Sequence, residues 1–213
     1  MSHRLLFDPD CRRCPRLADY LDEVGGANPD YHARPVPAFG DPAARLLIVG
    51  LAPGYHGANR TGRPFTGDHA GILLYETLHH FGLSSRPVSE SASDGLVLHD
   101  CRITNAVKCL PPANKPVGIE VRTCNAYLDA ELAALPAKAV VLALGKIAHD
   151  AVLRARDQKL SAWPFGHGRE HRLEGLTLVD SYHCSRYNTQ TKRLTCDMFR
   201  EVVGRAREMA RAA

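Results

Sequence analysis

Apolar residues fall along this 213-residue chain in two recurring patterns. Short unbroken runs at 45–50, 102–107, 139–144 and 176–180 predict strands buried on both faces, the pattern of a parallel sheet. Between them run amphipathic stripes of helical period. Ala70, Leu73, Leu74, Thr77, Leu78 and Phe81 share one face of 67–81, and Ile119, Val121, Leu128, Leu132 and Leu135 share one face of 118–135. A helix at 146–156 follows its strand after a single glycine, and a last helix carries Leu194, Met198, Val202, Ala206 and Met209 at nearly four-residue steps. Another, at 15–24, precedes them all. Alternating strand and helix predict a doubly covered α/β sheet, which binds ligands at the carboxyl ends of its strands. The polar, glycine-bearing segments 51–68, 108–116 and 181–191 follow three of the four strands, so function is sought there.

Composition narrows the class. With 45% hydrophobic and 23% charged residues, the chain has the make-up of a soluble globular protein rather than a disordered or fibrous one. Its length suits one domain, read as 1–213. The longest apolar runs stop far short of the roughly 18 residues of a membrane span. Residues 1–8 show no signal-peptide pattern, so a cytoplasmic location is expected. There is no sequence signal for an oligomer, and a monomer is expected. A net charge of +4 permits an anionic partner. The C-terminal run Arg186, Lys192, Arg193, Arg200, Arg205, Arg207 and Arg211 outweighs Asp197, Glu201 and Glu208, although by itself it reads as a solvated helix face.

Seven cysteines without an export signal argue against a disulfide framework and for metal binding or chemistry. Cys11 and Cys14 form a CxxC pair that turns two thiolates to one centre, and Cys109 and Cys124 supply a distant second pair. Tetrahedral zinc and a [4Fe-4S] cluster both fit, and the spacing does not separate them. Cys101, Cys184 and Cys196 have no partner pattern. In the first strand-end loop, Arg60 and Arg63 are candidates for phosphate, but neither a P-loop nor a GxGxxG fingerprint is present. Phe65 there reads either as core or as a flat face on which a base stacks. Asp68 reads either as a helix cap or as a carboxylate that orients water.

Four segments together carry a resemblance. They are Gly50-Leu51-Ala52-Pro53-Gly54, the run from Thr61 through Phe65 to Asp68, Thr104-Asn105-Ala106-Val107-Lys108-Cys109 with Pro111-Pro112-x-Asn114, and His183-x-Ser185-Arg186-x-Asn188. In that order they resemble the iron–sulfur uracil-DNA glycosylases, and the long Gly-Ala-Asn-Arg-Thr-Gly-Arg insert with the motif-one alanine resembles their broad-specificity type, family 5 or type b. The match runs over nearly the whole chain. It implies a three-layer αβα sandwich with a four-stranded parallel sheet, and a structural [4Fe-4S] cluster on Cys11, Cys14, Cys109 and Cys124. It also implies excision of uracil and other deaminated bases, such as hypoxanthine and xanthine, from DNA.

The resemblance also assigns roles. Phe65 stacks under the flipped base, Asn105 reads its edge, Asn114 lies near the pocket, and Ala52 and Gly54 line it. Uracil-specific relatives have an aspartate in motif one where this chain has Ala52, which shifts water activation to Asp68. His183 bonds the base carbonyl as charge builds there, and Cys184 follows it where related enzymes commonly have proline. Arg60, Arg63, Ser185, Arg186 and Tyr187 are expected at DNA, with the last two filling the gap left by the flipped nucleotide. The competing readings are a narrower uracil-specific enzyme, a nonenzymatic iron–sulfur DNA-binding protein and a nucleotide-binding redox protein.

Overall fold

The computed structural model describes residues 7–212. The first six residues, part of the stretch read for a signal peptide, and Ala213 lie outside the described residues. Among the described residues no helix is long and apolar enough to cross a membrane.

The four anticipated strands form as β2 (Leu46–Gly50), β3 (Cys101–Asn105), β4 (Ala139–Leu144) and β6 (Leu176–Ser181), paired in parallel in the order β3-β2-β4-β6. The sheet is nevertheless six-stranded and mixed, not four-stranded and parallel. β1 (Phe39–Gly40) adds antiparallel to β3 at one edge, and β5 (Glu170–Leu173) adds antiparallel to β6 at the other. Neither edge strand carries an apolar run. β1 has two residues, and β5 alternates Glu170, His171, Arg172, Leu173 with only the second and fourth buried.

Helices cover both faces, because alternate residues of a strand point to opposite sides. Leu47, Val49, Val141 and Ala143 face α1 (Pro15–Ala27), α4 (Gly118–Ala133) and α5 (Lys146–Ala155). Leu46, Ile48, Val140 and Leu142 face α3 (His69–His80) and α7 (Cys196–Arg211). Full burial of each such side chain contributes about 1.5–3 kcal/mol, which is why β2 and β4 are apolar throughout. The stripe on α4 begins later than its periodicity suggests: Ile119 is exposed, and the buried face starts at Glu120 and Val121. Two short helices interrupt loops that read as irregular, α2 (Ala58–Thr61) and α6 (Arg186–Gln190).

A buried polar knot ties the β5 edge to the sheet. Asp180, at 0% exposure on β6, meets His149 Nδ1 of α5 at 2.7 Å and His171 Nε2 of β5 at 3.0 Å, and accepts the Gly166 N–H at 3.1 Å. His149 Nε2 bonds the Trp163 carbonyl at 2.8 Å. Removing the carboxylate strands these donors in a dry interior. Asp180→Ala is therefore expected to cost about 3–5 kcal/mol, read as a lowered urea midpoint. An unchanged midpoint would show that the knot carries no stability.

Candidate active site

The carboxyl ends of the parallel strands open into a cavity of about 1080 Å³. Its floor is set by the register of two strands. Gly50 ends β2 opposite Asn105 at the end of β3, and a Cβ on Gly50 would stand 2.4 Å from Asn105 Oδ1 and 2.5 Å from Phe65 Cζ. Only glycine lets these two side chains close over the strand end. Asn105 is 4% exposed, and its Oδ1 has no hydrogen-bond partner among the described residues. Phe65 sits at φ 55°, a left-handed conformation unusual for an aromatic residue, and its ring stacks on His183 with centroids 5.9 Å apart.

Of the two readings the sequence left open for Asp68, the cap is the one the structure shows. It is the N-cap of α3, with Oδ1 accepting from Gly71 N at 2.9 Å. Its Oδ2 faces the turn at Gly54 and Gly57, where a Cβ on Gly57 would meet it at 2.5 Å. Burial raises the Asp68 pKa above the usual carboxylate value, against the opposing backbone bonds from Gly71 and Ala70. The same negative charge adds to burial in pushing the neighbouring Cys184 thiol up.

His183 follows β6. Asn188 Nδ2 donates to its carbonyl at 2.8 Å, and Gly145, at φ 96°, brings the β4–α5 turn against its Cβ. The surrounding protein desolvates the imidazole and lowers its pKa from 6.5 to about 4, so the ring is neutral at pH 7. Asn114 reaches the cavity from an exposed 3-10 turn, Pro112–Asn114, at φ 55°.

Ala52, Gly54 and Arg60 also line the cavity, as do Ser185 and Arg186. Arg60 is exposed at the mouth, with Nε donating to His56 O at 2.8 Å. Ser185 caps α6, and Tyr187 stands on that helix at 70% exposure, outside the cavity lining. Arg63 departs from its expected role as a DNA contact. It is 5% exposed and paired with Asp94 at 2.7 Å beneath the surface, so it does not reach a phosphate. Within the basic C-terminal run, Arg205 pairs with Glu170 and Arg200 with Glu76.

Several lining residues escaped the sequence reading. Lys146 and Ile147 begin α5, and the lone glycine between strand and helix was their available signal. Tyr55 and His56 lay in a loop already singled out, whereas Val88, Ser89 and Glu90 belong to a stretch with no periodicity at all.

Cys11, Cys14, Cys109 and Cys124 surround a separate small hollow as free thiols. Pro15 starts α1 directly after Cys14, and the Lys108 N–H donates to Cys124 Sγ at 3.2 Å. Burial, followed by neighbouring charges, raises the thiols of Cys14 and Cys109. Burial likewise lifts Cys124 to about 11, against the opposing effect of Lys108. Four such groups become ligands together only around a strongly positive centre. One zinc ion would draw sulfurs to about 3.8 Å from one another. Among the described residues, the trio with ligand atoms within 4.8 Å of one another is His149, His171 and Asp180, already engaged in hydrogen bonds, and not three of these thiols.

Residues 37–207 match the family model of the Uracil DNA glycosylase superfamily. A type-5 uracil-DNA glycosylase of Thermus thermophilus is 50% identical over 206 residues, covering 94% of each chain. Another from Pyrobaculum aerophilum is 44% identical, covering 92% of this chain and 88% of its own. A type-4 uracil-DNA glycosylase of Archaeoglobus fulgidus is 34% identical over 140 residues, 65% of this chain and 62% of its own.

Proposed function

The chain belongs to the uracil DNA glycosylase superfamily, among its type-5 members, and from that premise we propose that it hydrolyses the N-glycosidic bond of uracil, and of hypoxanthine and xanthine, in DNA. The observation that carries this reading is the buried carbonyl oxygen of Asn105, a residue that lines the cavity, with no partner for that oxygen among the described residues. Leaving such an acceptor unpaired costs about 1–3 kcal/mol, and the N–H of a base edge offsets that cost when it binds.

The chemistry follows from the neighbours. The target nucleotide leaves the stack and its base lies on Phe65. As the bond from C1′ to the base nitrogen breaks, negative charge gathers on the base and positive charge on the sugar. Neutral His183 donates an N–H to the base carbonyl oxygen and stabilises the first. Asp68, with one oxygen held by the α3 N-terminus, uses the other to orient the attacking water and to favour the second. The bond's electron pair leaves with the base as its anion, water adds at C1′ and gives up one proton, and the base anion takes up one proton from solvent. Asn114 supplies a further polar contact. Arg60 and Ser185 meet the backbone, and Arg186 and Tyr187 fill the gap left by the flipped nucleotide.

Breadth of substrate is supported by the size of the cavity and by Ala52 and Gly54, which leave room for a bicyclic base. Cys11, Cys14, Cys109 and Cys124 would hold a [4Fe-4S] cluster, which when bound supplies a structural cross-link. It would fasten α1 to α4 and to the loop that brings in Asn114. We read the whole chain as one domain, acting as a cytoplasmic monomer on DNA with deaminated bases.

The test is release of free base from duplexes carrying a single uracil, hypoxanthine or xanthine. All three are expected to be released. Release of uracil alone would return the protein to the narrower type, and release of none would leave a DNA-binding protein.

A further inference from the structure

Arg63, displaced from the DNA surface, has an organised set of partners instead. Its guanidinium Nη1 donates to Asp94 Oδ1 at 2.7 Å and to Ser89 Oγ at 3.0 Å, its Nη2 donates to Ala92 O at 2.8 Å, and its plane lies 4.4 Å over the Phe39 ring. Asp94 in turn accepts the backbone N–H groups of Glu90, Ser91 and Leu96, and so folds the loop between α3 and β3 around itself. Against the opposing effect of burial, the Arg63 guanidinium and these backbone N–H groups hold the Asp94 carboxyl well below the usual carboxylate range.

Two further bonds join that loop and α3 to the segment that carries Phe65. Thr66 Oγ1 meets Ser89 Oγ at 2.7 Å, and the Tyr75 hydroxyl donates to Pro64 O at 2.9 Å. Phe65 therefore stands between anchors at 63, 64 and 66, and these hold it at its positive φ. The same loop contributes Val88, Ser89 and Glu90 to the cavity wall. One clamp thus connects the ring on which a base would stack to the wall beside it.

We propose that Arg63 is a positioning residue that, through Asp94 and Ser89, sets the gap between Phe65 and the Val88 to Glu90 wall, and with it the size of base the site accepts. This rests on the reading of the cavity as a base site. A loosened wall takes contact from a small pyrimidine more than from a purine, which fills the wider gap.

The experiment measures kcat and KM for uracil and for hypoxanthine in the same duplex, with wild type, Arg63→Lys and Ser89→Ala, alongside melting temperature. Both variants are expected to lose about tenfold in kcat/KM on uracil and clearly less on hypoxanthine, so that the ratio between the bases shifts at least threefold. Should the wild type leave hypoxanthine untouched, the variants are expected to begin releasing it. A purely structural role would lower stability and scale both bases alike. An unchanged ratio in the folded variants, or no hypoxanthine release where wild type has none, overturns the proposal. If Arg63→Lys does not fold, Ser89→Ala decides, since it removes one hydroxyl and leaves the ion pair in place. Failure of wild type to release any base overturns the base-site reading and this inference with it, whereas active wild type with an unmoved ratio overturns this inference alone.

Discussion

Asp68→Asn is expected to lower the rate of uracil release by about 10²–10⁴-fold while leaving DNA affinity and melting temperature close to wild type. The separation is possible because the two carboxylate oxygens have different tasks. Oδ1 caps α3 through the Gly71 N–H, and asparagine is as good an N-cap as aspartate. What the amide loses is the negative charge on the oxygen that faces the Gly54–Gly57 turn. Asp68→Ala removes both, so it should add a stability loss of about 0.5–2 kcal/mol to the same catalytic defect. The acid limb of the pH–rate profile follows from burial. The Asp68 carboxyl protonates at a higher pH than an ordinary aspartate, and activity falls with it. Single-turnover rates and thermal melts on the three proteins check the set. An active, stable Asp68→Asn would show that Asp68 is only a cap.

His183→Ala is expected to cost about 10²–10³-fold in kcat, the effect of losing one donor aimed at developing charge. Because the imidazole pKa is lowered to about 4, the donor is the neutral ring throughout the physiological range, and wild-type kcat should show no inflection near 6.5. The same shift has a sign for stability. Between 6.5 and about 4 the unfolded chain binds more protons at this histidine than the folded one, so stability declines as pH falls through that window. The variant should lack that part of the slope. A rate that titrates near 6.5 would instead require an imidazolium and contradict this role.

Much of the architecture could be read from the chain because the parallel strands are buried on both sides. Nothing but an apolar run satisfies β2 and β4, and nothing but amphipathic helices covers them. The edge strands stayed hidden for the complementary reason. β5 turns His171 inward, a residue whose burial depends on Asp180 in another strand, and local pattern does not reveal a partner nine residues away. The site divides in the same way. Asn105 and His183 line the cavity from at or just beyond a strand end, and Phe65 and Asp68 from the long segment that leaves β2, where the chain order already pointed. Arg63 was misread because a cation among glycines resembles a phosphate contact, and only the fold supplies the Asp94 that buries it. Asp68 looked like a choice between cap and carboxylate, whereas the fold caps α3 with one oxygen and turns the other toward Gly54 and Gly57.

The central claim is that this cavity hydrolyses the bond between a flipped base and its sugar. Its most direct test is wild-type protein on a duplex with one uracil, assayed for free uracil by mass spectrometry and for strand breaks before and after alkali, with borohydride present in a parallel sample. The account predicts free uracil, an intact strand until alkali is added, and no covalent protein–DNA adduct. A strand cut before alkali, or an adduct trapped by borohydride, would contradict direct attack by water, and the absence of free uracil would contradict the account as a whole.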